Sequence, residues 1–283
     1  MNANRDELPA YEQKPERIKL LAQDRQLYII ETLVQQGSVS VSSIAAELDV
    51  SDMTIRRDLV ELESEGKLVR IHGGAVLPEN STPVAMDREE PSFDTRLIQN
   101  CEAKARIAAV AAEIACGYLT VALDVGTTTF LVAERLLERN RMKIFTNSVR
   151  IAHRMSSGAP EIYLAGGHMR GDEMAVGGPA AIAQFEQLWF DIAFVGVSGI
   201  TCSGIYDYSF EDVDLKRLYL NRSGFKVVLC DSSKFQHMSL VNIAPLQGVD
   251  MLITESSPPP AIALALEAAK VKVVIAPPLP EAC

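Results

Sequence analysis

From Arg25 onward apolar residues recur at three-to-four spacing, with Leu27, Ile30, Leu33 and Val34 leading up to Gly37, a pattern that predicts a helix with a glycine stop. Ile44, Ala45 and Leu48 predict a second, short helix, and Ser51 is placed to cap a third over 52–65. In that third helix Ile55, Leu59 and Leu62 fall within about 60° of one another at ~100° per residue, so they form its buried stripe. Met53, Arg57, Val60 and Ser64 are left on the outer face, flanked by Thr54 and Arg56. The run from Lys67 to Pro78 then alternates apolar and polar residues around Gly73-Gly74, as a small hairpin does. Three helices followed by a hairpin make a winged helix-turn-helix over 24–78.

Residues 79–97, with Pro83, Pro91 and several charges, read as a linker. Beyond it helical and strand-like segments alternate. Helices are expected at 101–116, 127–139, 148–156, 179–188, 211–222 and 259–269. Strands are expected at 118–124, 142–146, 161–165, 190–197, 225–231, 250–254 and 271–276. Such alternation predicts parallel strands joined by helical crossovers, an α/β domain over 98–276. Residues 1–23 read as a polar extension and 277–283 as a tail.

Composition narrows the class. Hydrophobic residues at 48% with 23% charged exclude general disorder. The uncharged stretch Ile192 to Tyr206 falls short of the ~20 apolar residues of a membrane helix, and the charged first 25 residues lack a secretory signal, so the cytoplasm is the expected compartment. Five scattered cysteines and four isolated histidines predict reduced thiols and no metal site. The net charge of −10 speaks against non-specific affinity for anionic polymers. Residues 1–78 themselves hold nine Lys and Arg against thirteen Asp and Glu, yet the cationic side chains cluster on the third helix and hairpin.

On that surface Ser51 and Thr54 can donate to phosphates, Arg57 points outward to a base edge or backbone, and Arg56 flanks it. Lys67, Arg70 and His72 on the hairpin are placed for an adjacent phosphate or the minor groove. Asp58 and Glu61 stand uncomfortably near. Periodicity alone leaves open a three-helix interaction module with solvated arginines. The run V-S-V-S-S-I-A-A-E-L-D-V-S-D-M-T-I-R-R-D-L-V-E-L-E-S-E-G-K-L-V-R-I-H-G-G-A closely resembles the amino-terminal domain of the DeoR family of bacterial transcriptional regulators. The resemblance implies that residues 39–58 form the helix-turn-helix, that double-stranded operator DNA is a partner, and that Thr54, Arg56 and Arg57 belong to the DNA surface.

In the second domain Asp124-Val125-Gly126-Thr127-Thr128-Thr129 follows an apolar strand and opens a helix, where free N–H groups and hydroxyls suit a phosphate. Capping alone explains such a turn equally well. Thr146-Asn147-Ser148, Ala165-Gly166-Gly167 and Gly196-Val197-Ser198-Gly199-Ile200 also end strands with small polar residues, and Lys234 follows another strand. D-x-G-T-T, T-N, L-A-G-G, G-x-S-G-I and D-x-S-K-F again look like the DeoR family, whose sensor domain resembles the sugar-phosphate isomerase fold of ribose-5-phosphate isomerase. By that resemblance Asp124, Gly126, Thr127, Thr128, Thr146, Asn147 and Lys234 line a pocket for a phosphorylated metabolite, shaped by Gly166, Gly167, Ser198 and Gly199.

Asp207, Asp212 and Lys216 are further candidates, although Asp212-Val213 stands where the family often has E-V, and helix-start electrostatics accounts for the carboxylates as well. The Y-D-Y segment and D-M-L-I-T-E-S-S-P-P-P-A-I resemble the glycerol-3-phosphate-responsive branch. The family resemblance implies a homo-oligomeric repressor released from DNA by its effector, with no cofactor and no catalysis. The competing reading is a sugar-phosphate isomerase-like enzyme with Asp124 or Asp207 as base and an accessory helical domain. Against it, the chain has no G-x-x-x-x-G-K-[ST], G-x-S-x-G or H-E-x-x-H motif.

Overall fold

A computed structural model describes residues 21–36, 38–71, 73–77, 85–86, 90–171 and 173–279. The extension up to residue 20, the expected glycine stop at Gly37, the candidate His72 and residues 280–283 lie outside them. The amino-terminal head consists of α1 (Ala22–Gln36), β1 (Ser38–Ser40), α2 (Val41–Glu47), α3 (Asp52–Ser64), β2 (Val69–Ile71) and β3 (Gly74–Val76). Ile29, Leu33, Ile44, Ile55, Leu59, Leu62 and Leu68 form its core, each almost fully buried. The stripe on α1 is therefore Ile29 and Leu33. Leu27 and Val34, expected as part of it, are exposed, because the face that meets α3 is set one residue away from the face they occupy.

Ser51 caps α3, its Oγ accepting from the Thr54 amide at 3.3 Å. The expected hairpin is the β2–β3 pair, and β1 adds a third antiparallel strand on the free side of β3. This strand of three residues is too short to show in periodicity. It pairs at close quarters: a Cβ on Gly74 would stand 2.0 Å from the Val39 carbonyl oxygen.

The stretch expected to be a plain linker carries structure. Ala85–Met86 form β4, and Phe93–Ile98 form α4, capped by Ser92. Phe93 is buried, edge-on to Phe130 at 5.8 Å with the Arg150 guanidinium over its other side. One apolar anchor among prolines and charges gives no periodic signal, so pattern reading passes over it.

The main sheet has seven parallel strands in the order β17-β16-β13-β10-β5-β6-β7. They are β5 (Thr120–Leu123), β6 (Lys143–Thr146), β7 (Glu161–Leu164), β10 (Phe190–Gly196), β13 (Ser223–Leu229), β16 (Met251–Thr254) and β17 (Lys272–Ile275). Each lies where alternation placed it. Helices α5 (Cys101–Ala115), α6 (Thr127–Arg135) and α7 (Val149–Met155) cover one face through Ile107, Val132 and Ile151. On the other face α8 (Pro179–Phe185), α9 (Phe210–Asn221) and α10 (Pro260–Ala268) pack through Phe185, Tyr219 and Ile262.

Short strands that alternation did not reveal decorate the sheet. β8 (His168–Arg170) pairs with β9 (Ala175–Gly177), and β11 (Gly199–Thr201), β12 (Gly204–Asp207) and β15 (Val241–Ala244) form a three-stranded antiparallel sheet. β14 (His237–Met238) pairs in parallel with β4, which ties the connecting segment to the second domain. The chain winds from β5 through β6 to β7 in one direction and from β10 to β17 in the other, so the order reverses between β5 and β10. A crevice opens beyond the carboxyl ends of the strands at such a point.

The head also meets the second domain directly, with β1 and β3 against α10. Gly73 approaches so closely that its Cβ would lie 3.2 Å from that of Ala268. Replacing Gly74 with alanine is expected to push β1 off β3 and lower the head's stability by about 2 kcal/mol or more. Chemical denaturation measures this, and a loss under about 0.5 kcal/mol would contradict the close pairing.

Candidate functional site

Two surfaces carry chemistry. On the head, the stripe Ile55, Leu59 and Leu62 turns the opposite face of α3 outward, so Ser51, Arg56 and Arg57 are exposed and Thr54 half-buried beside them. Among the described residues neither arginine has a carboxylate within ion-pair reach. Asp58 is not on this face. It is buried, and both its oxygens accept from Arg25 of α1, at 2.8 and 2.9 Å, which removes the expected repulsion. Glu61 accepts from Gln26 at 2.6 Å. Lys67 and Arg70 are exposed and pair with Glu65 and Glu63 at 2.7 Å each. Exposed pairs of this kind are worth about 0–1 kcal/mol, so a phosphate competes for either cation.

The second surface is the crevice between β5 and β10. It encloses about 690 Å³, the solvent-filled mouth included. Gly126, Thr127 and Thr128 form one wall at the start of α6, where the first helical N–H groups lack carbonyl partners. Thr129 is buried behind them and locks the turn, its hydroxyl 3.0 Å from the carbonyls of Asp124 and Gly126. Ser198, Asp207, Lys216 and Lys234 face the same space.

At its base Lys216 is buried between two carboxylates, 2.7 Å from Asp124 and 2.6 Å from Asp207, and donates to the Gly196 carbonyl at 2.7 Å. Asp207 also accepts from the Ser198 hydroxyl at 2.7 Å and the Tyr208 amide at 2.8 Å. Burial works against every charge here. It pushes the Asp124 carboxyl up to about 6, against the pull of Lys216. Burial also opposes ionisation of Asp207, but Lys216 and the hydrogen bonds prevail and hold it below the usual carboxylate range. Lys216, with two anions for neighbours, stays protonated. One Asp124 oxygen, Oδ1, is buried without a hydrogen-bond partner among the described residues.

Six of the candidate residues do not line the crevice: Asp124 is buried against Lys216, and the other five stand apart. Thr146 is buried and its hydroxyl accepts from the Ser148 amide at 3.0 Å. Asn147 donates to the Val176 carbonyl at 3.2 Å and accepts from the Tyr219 hydroxyl at 3.1 Å, so both ends of its amide are engaged. Gly166 donates its amide to Gln184 at 2.9 Å, and a Cβ on Gly167 would lie 2.6 Å from the Gly177 carbonyl oxygen. Gly199 lets β14 pass, its Cβ position 2.2 Å from the His237 carbonyl oxygen. These residues hold the strand ends together. Asp212 lies at the crevice edge and is paired with Arg170.

Several lining residues carry no motif. Lys104 of α5 is buried and donates to the Arg96 carbonyl, and burial lowers its ammonium from the usual lysine range. Asn100 donates to Asp231 and Ser233 at 3.0 Å each. Arg96 of α4 pairs with Glu90 at 2.6 Å and with Glu173, while its Nε is buried without a partner among the described residues. Glu90 belongs to the segment that leads to the head, and burial pushes its carboxyl up to about 7.

Residues 25–81 match the model of the DeoR-like helix-turn-helix domain and residues 99–256 that of the DeoR C terminal sensor domain. The chain belongs to the DeoR family. It is a DNA-binding transcriptional regulator, and α2 and α3 lie within its helix-turn-helix domain. Among relatives, the glycerol-3-phosphate regulon repressor of Escherichia coli (strain K12) is 34% identical over 83% of this chain and 91% of its own. The putative aga operon transcriptional repressor of Escherichia coli O157:H7 is 32% identical over 89% and 93%, and the regulator GlpR of Haloferax volcanii 33% over 84% and 91%. Of solved structures, ribose 5-phosphate isomerase A from Methanocaldococcus jannaschii overlaps 48% of this chain and 55% of its own, at 16% identity and a TM-score of 0.36. No helix among the described residues is long and apolar enough to cross a membrane.

For this DeoR-family sensor domain, Lys216→Met is expected to leave Asp124 and Asp207 as uncompensated buried acids and to cost about 3–5 kcal/mol. Urea denaturation reads the loss. A cost under about 1 kcal/mol would show that the triad does not hold α9 to the sheet.

Proposed function

We propose that the protein is a cytoplasmic repressor that leaves its operator when a small phosphorylated metabolite occupies the crevice between β5 and β10. One observation carries this reading: the start of α6 and the cations Arg96, Lys104 and Lys234 face one solvent-open space at the strand-order reversal, with Lys216 at its base already neutralised by Asp124 and Asp207. N–H groups and cations converging there suit a phosphate monoester, and Ser198 and Asp207 supply hydroxyl partners for its polyol. Asp124, Gly126, Thr127, Thr128, Ser198, Asp207, Lys216 and Lys234 are the proposed effector site. Thr146, Asn147, Gly166, Gly167 and Gly199 support it from behind by fixing the strand ends.

Glycerol 3-phosphate is the preferred ester. Its size suits the crevice, and the relative from Escherichia coli strain K12 is named for the glycerol-3-phosphate regulon. Ser51, Thr54, Arg56, Arg57, Lys67 and Arg70 are the proposed DNA contacts, and family membership supports a homo-oligomer whose paired heads read two half-sites. Binding without turnover is the expected chemistry, since the head gives occupancy of the crevice an output. The effector must prefer the DNA-incompetent arrangement, because only differential affinity shifts a population.

Thermal shift with a panel of glycerol 3-phosphate and hexose, pentose and amino-sugar phosphates tests the effector. Glycerol 3-phosphate is expected to raise the melting temperature most; no shift with it beside a clear shift with another ester would replace it. In the Arg56→Ala, Arg57→Ala double variant that shift should persist while operator retention is lost, and the salt slope of remaining DNA binding should flatten by about one unit per phosphate contact removed. Retained operator affinity would move the DNA surface elsewhere.

A further inference from the structure

Arg96 is held in an arrangement that its surroundings do not complete. Its guanidinium lines the effector crevice, yet its partners there are two carboxylates, Glu90 at 2.6 Å and Glu173, and its Nε–H is buried without a partner among the described residues. Glu90 comes from the segment that joins the head to the sensor domain, four residues after β4. It also lines a second hollow on its other side, together with Ser92, Arg170, Gly171 and Glu173. A carboxylate leaving the crevice thus has open space beside it, near Arg170, which Asp212 already pairs.

Two carboxylates on one guanidinium in a space lined by helix N–H groups and further cations resemble what a phosphate monoester presents: oxygens in a plane-matching fork and negative charge. We propose that Arg96 is a further effector-binding residue whose guanidinium is occupied by the connecting segment's Glu90 in the empty protein and by the effector's phosphate in the loaded one. Exchange of one anion for the other frees the segment that carries the head. The inference rests on the reading of the crevice as a phosphate-ester site and adds to it the group that competes for that site.

The groups that face Glu90 fix the proton balance of the exchange. Burial raises its carboxyl to about 7, with Arg96 and Lys216 opposing and Asp207 and Glu173 adding to the rise. Part of the Glu90 population therefore carries a proton near neutral pH in the empty protein. Expelled toward solvent, the group returns toward its ordinary value near 4.5 and releases that proton. Had it stayed beside an incoming dianion, its proton affinity would rise and protons would be taken up instead.

Calorimetric titration of the full-length protein with glycerol 3-phosphate, glucose 6-phosphate and inorganic phosphate, in buffers of different ionisation enthalpy at pH 7, tests the exchange. The wild type is expected to release more protons per bound ester than Glu90→Gln, because the ester's own proton contributes equally to both. Glu90→Gln should bind the ester about tenfold more tightly, since the competing occupant is gone, and should hold operator DNA less well without effector. Arg96→Lys, which keeps the charge and removes the fork, should weaken ester binding at least severalfold.

Equal affinity and equal proton release in wild type and Glu90→Gln would overturn the exchange while leaving the effector reading intact. Ester binding by Arg96→Lys within about twofold of wild type would likewise remove Arg96 from the site. Absence of binding by all three probes to every protein would overturn both the effector reading and the exchange. If Glu90→Gln fails to fold, Glu90→Asp, which withdraws the carboxylate from Arg96 by one carbon, carries the same expectations.

Discussion

An ammonium group has three protons, and Lys216 finds three acceptors for them in Asp124, Asp207 and the Gly196 carbonyl. These belong to the ends of β5, β12 and β10, so one side chain from α9 gathers the strand termini that frame the crevice. In a buried setting this constraint is severe, because each charge is tolerable only while the others are in place. The triad therefore fixes where the wall of α6 stands relative to Ser198 and Asp207. The unpartnered Oδ1 of Asp124 marks the point where the network is incomplete.

The crevice and the head communicate through two kinds of contact. One is direct packing of β1 and β3 against α10. The other is the connecting segment, paired through β4 to β14 and through Glu90 to Arg96. β14 follows closely on the turn that carries Lys234, so two of the cations in the crevice, Arg96 and Lys234, lie within a few residues of the segment's attachments. A regulator of this design does not require a signal to cross the hydrophobic core.

Local patterning revealed what local forces determine. The stripe Ile55, Leu59 and Leu62 predicted α3, and the alternation of apolar strands with helical stretches predicted all seven strands of the parallel sheet. The short strands outside the main sheet and the hairpin escaped because they owe their existence to partners elsewhere; β1 exists through β3, and β4 through β14. The same holds for charge. Asp58 reads as an acid on the recognition helix until Arg25, thirty-three positions earlier, is seen to enclose it. Thr146 and Asn147 belong to recognisable motifs, but their hydrogen bonds face inward, which residue type alone does not disclose. Arg96 and Glu90 sit in no motif, and only the fold brings them to the crevice.

The β4–β14 pair involves only two residues on each side, so it is held by few hydrogen bonds, and its detachment lengthens the tether of the head. With β4 in place, eight residue steps separate Leu77 from Ala85, which bounds their distance at about 28 Å, and the packing of β1 and β3 on α10 must also open before the head can move that far. With β4 detached and Phe93 as the next anchor, sixteen steps allow about 56 Å. In an assembly carrying several heads, the effective concentration of the second head at its half-site falls steeply as the tether grows. If β4 detached, an assembly of such heads would lose avidity for DNA while each head kept its shape and its intrinsic affinity.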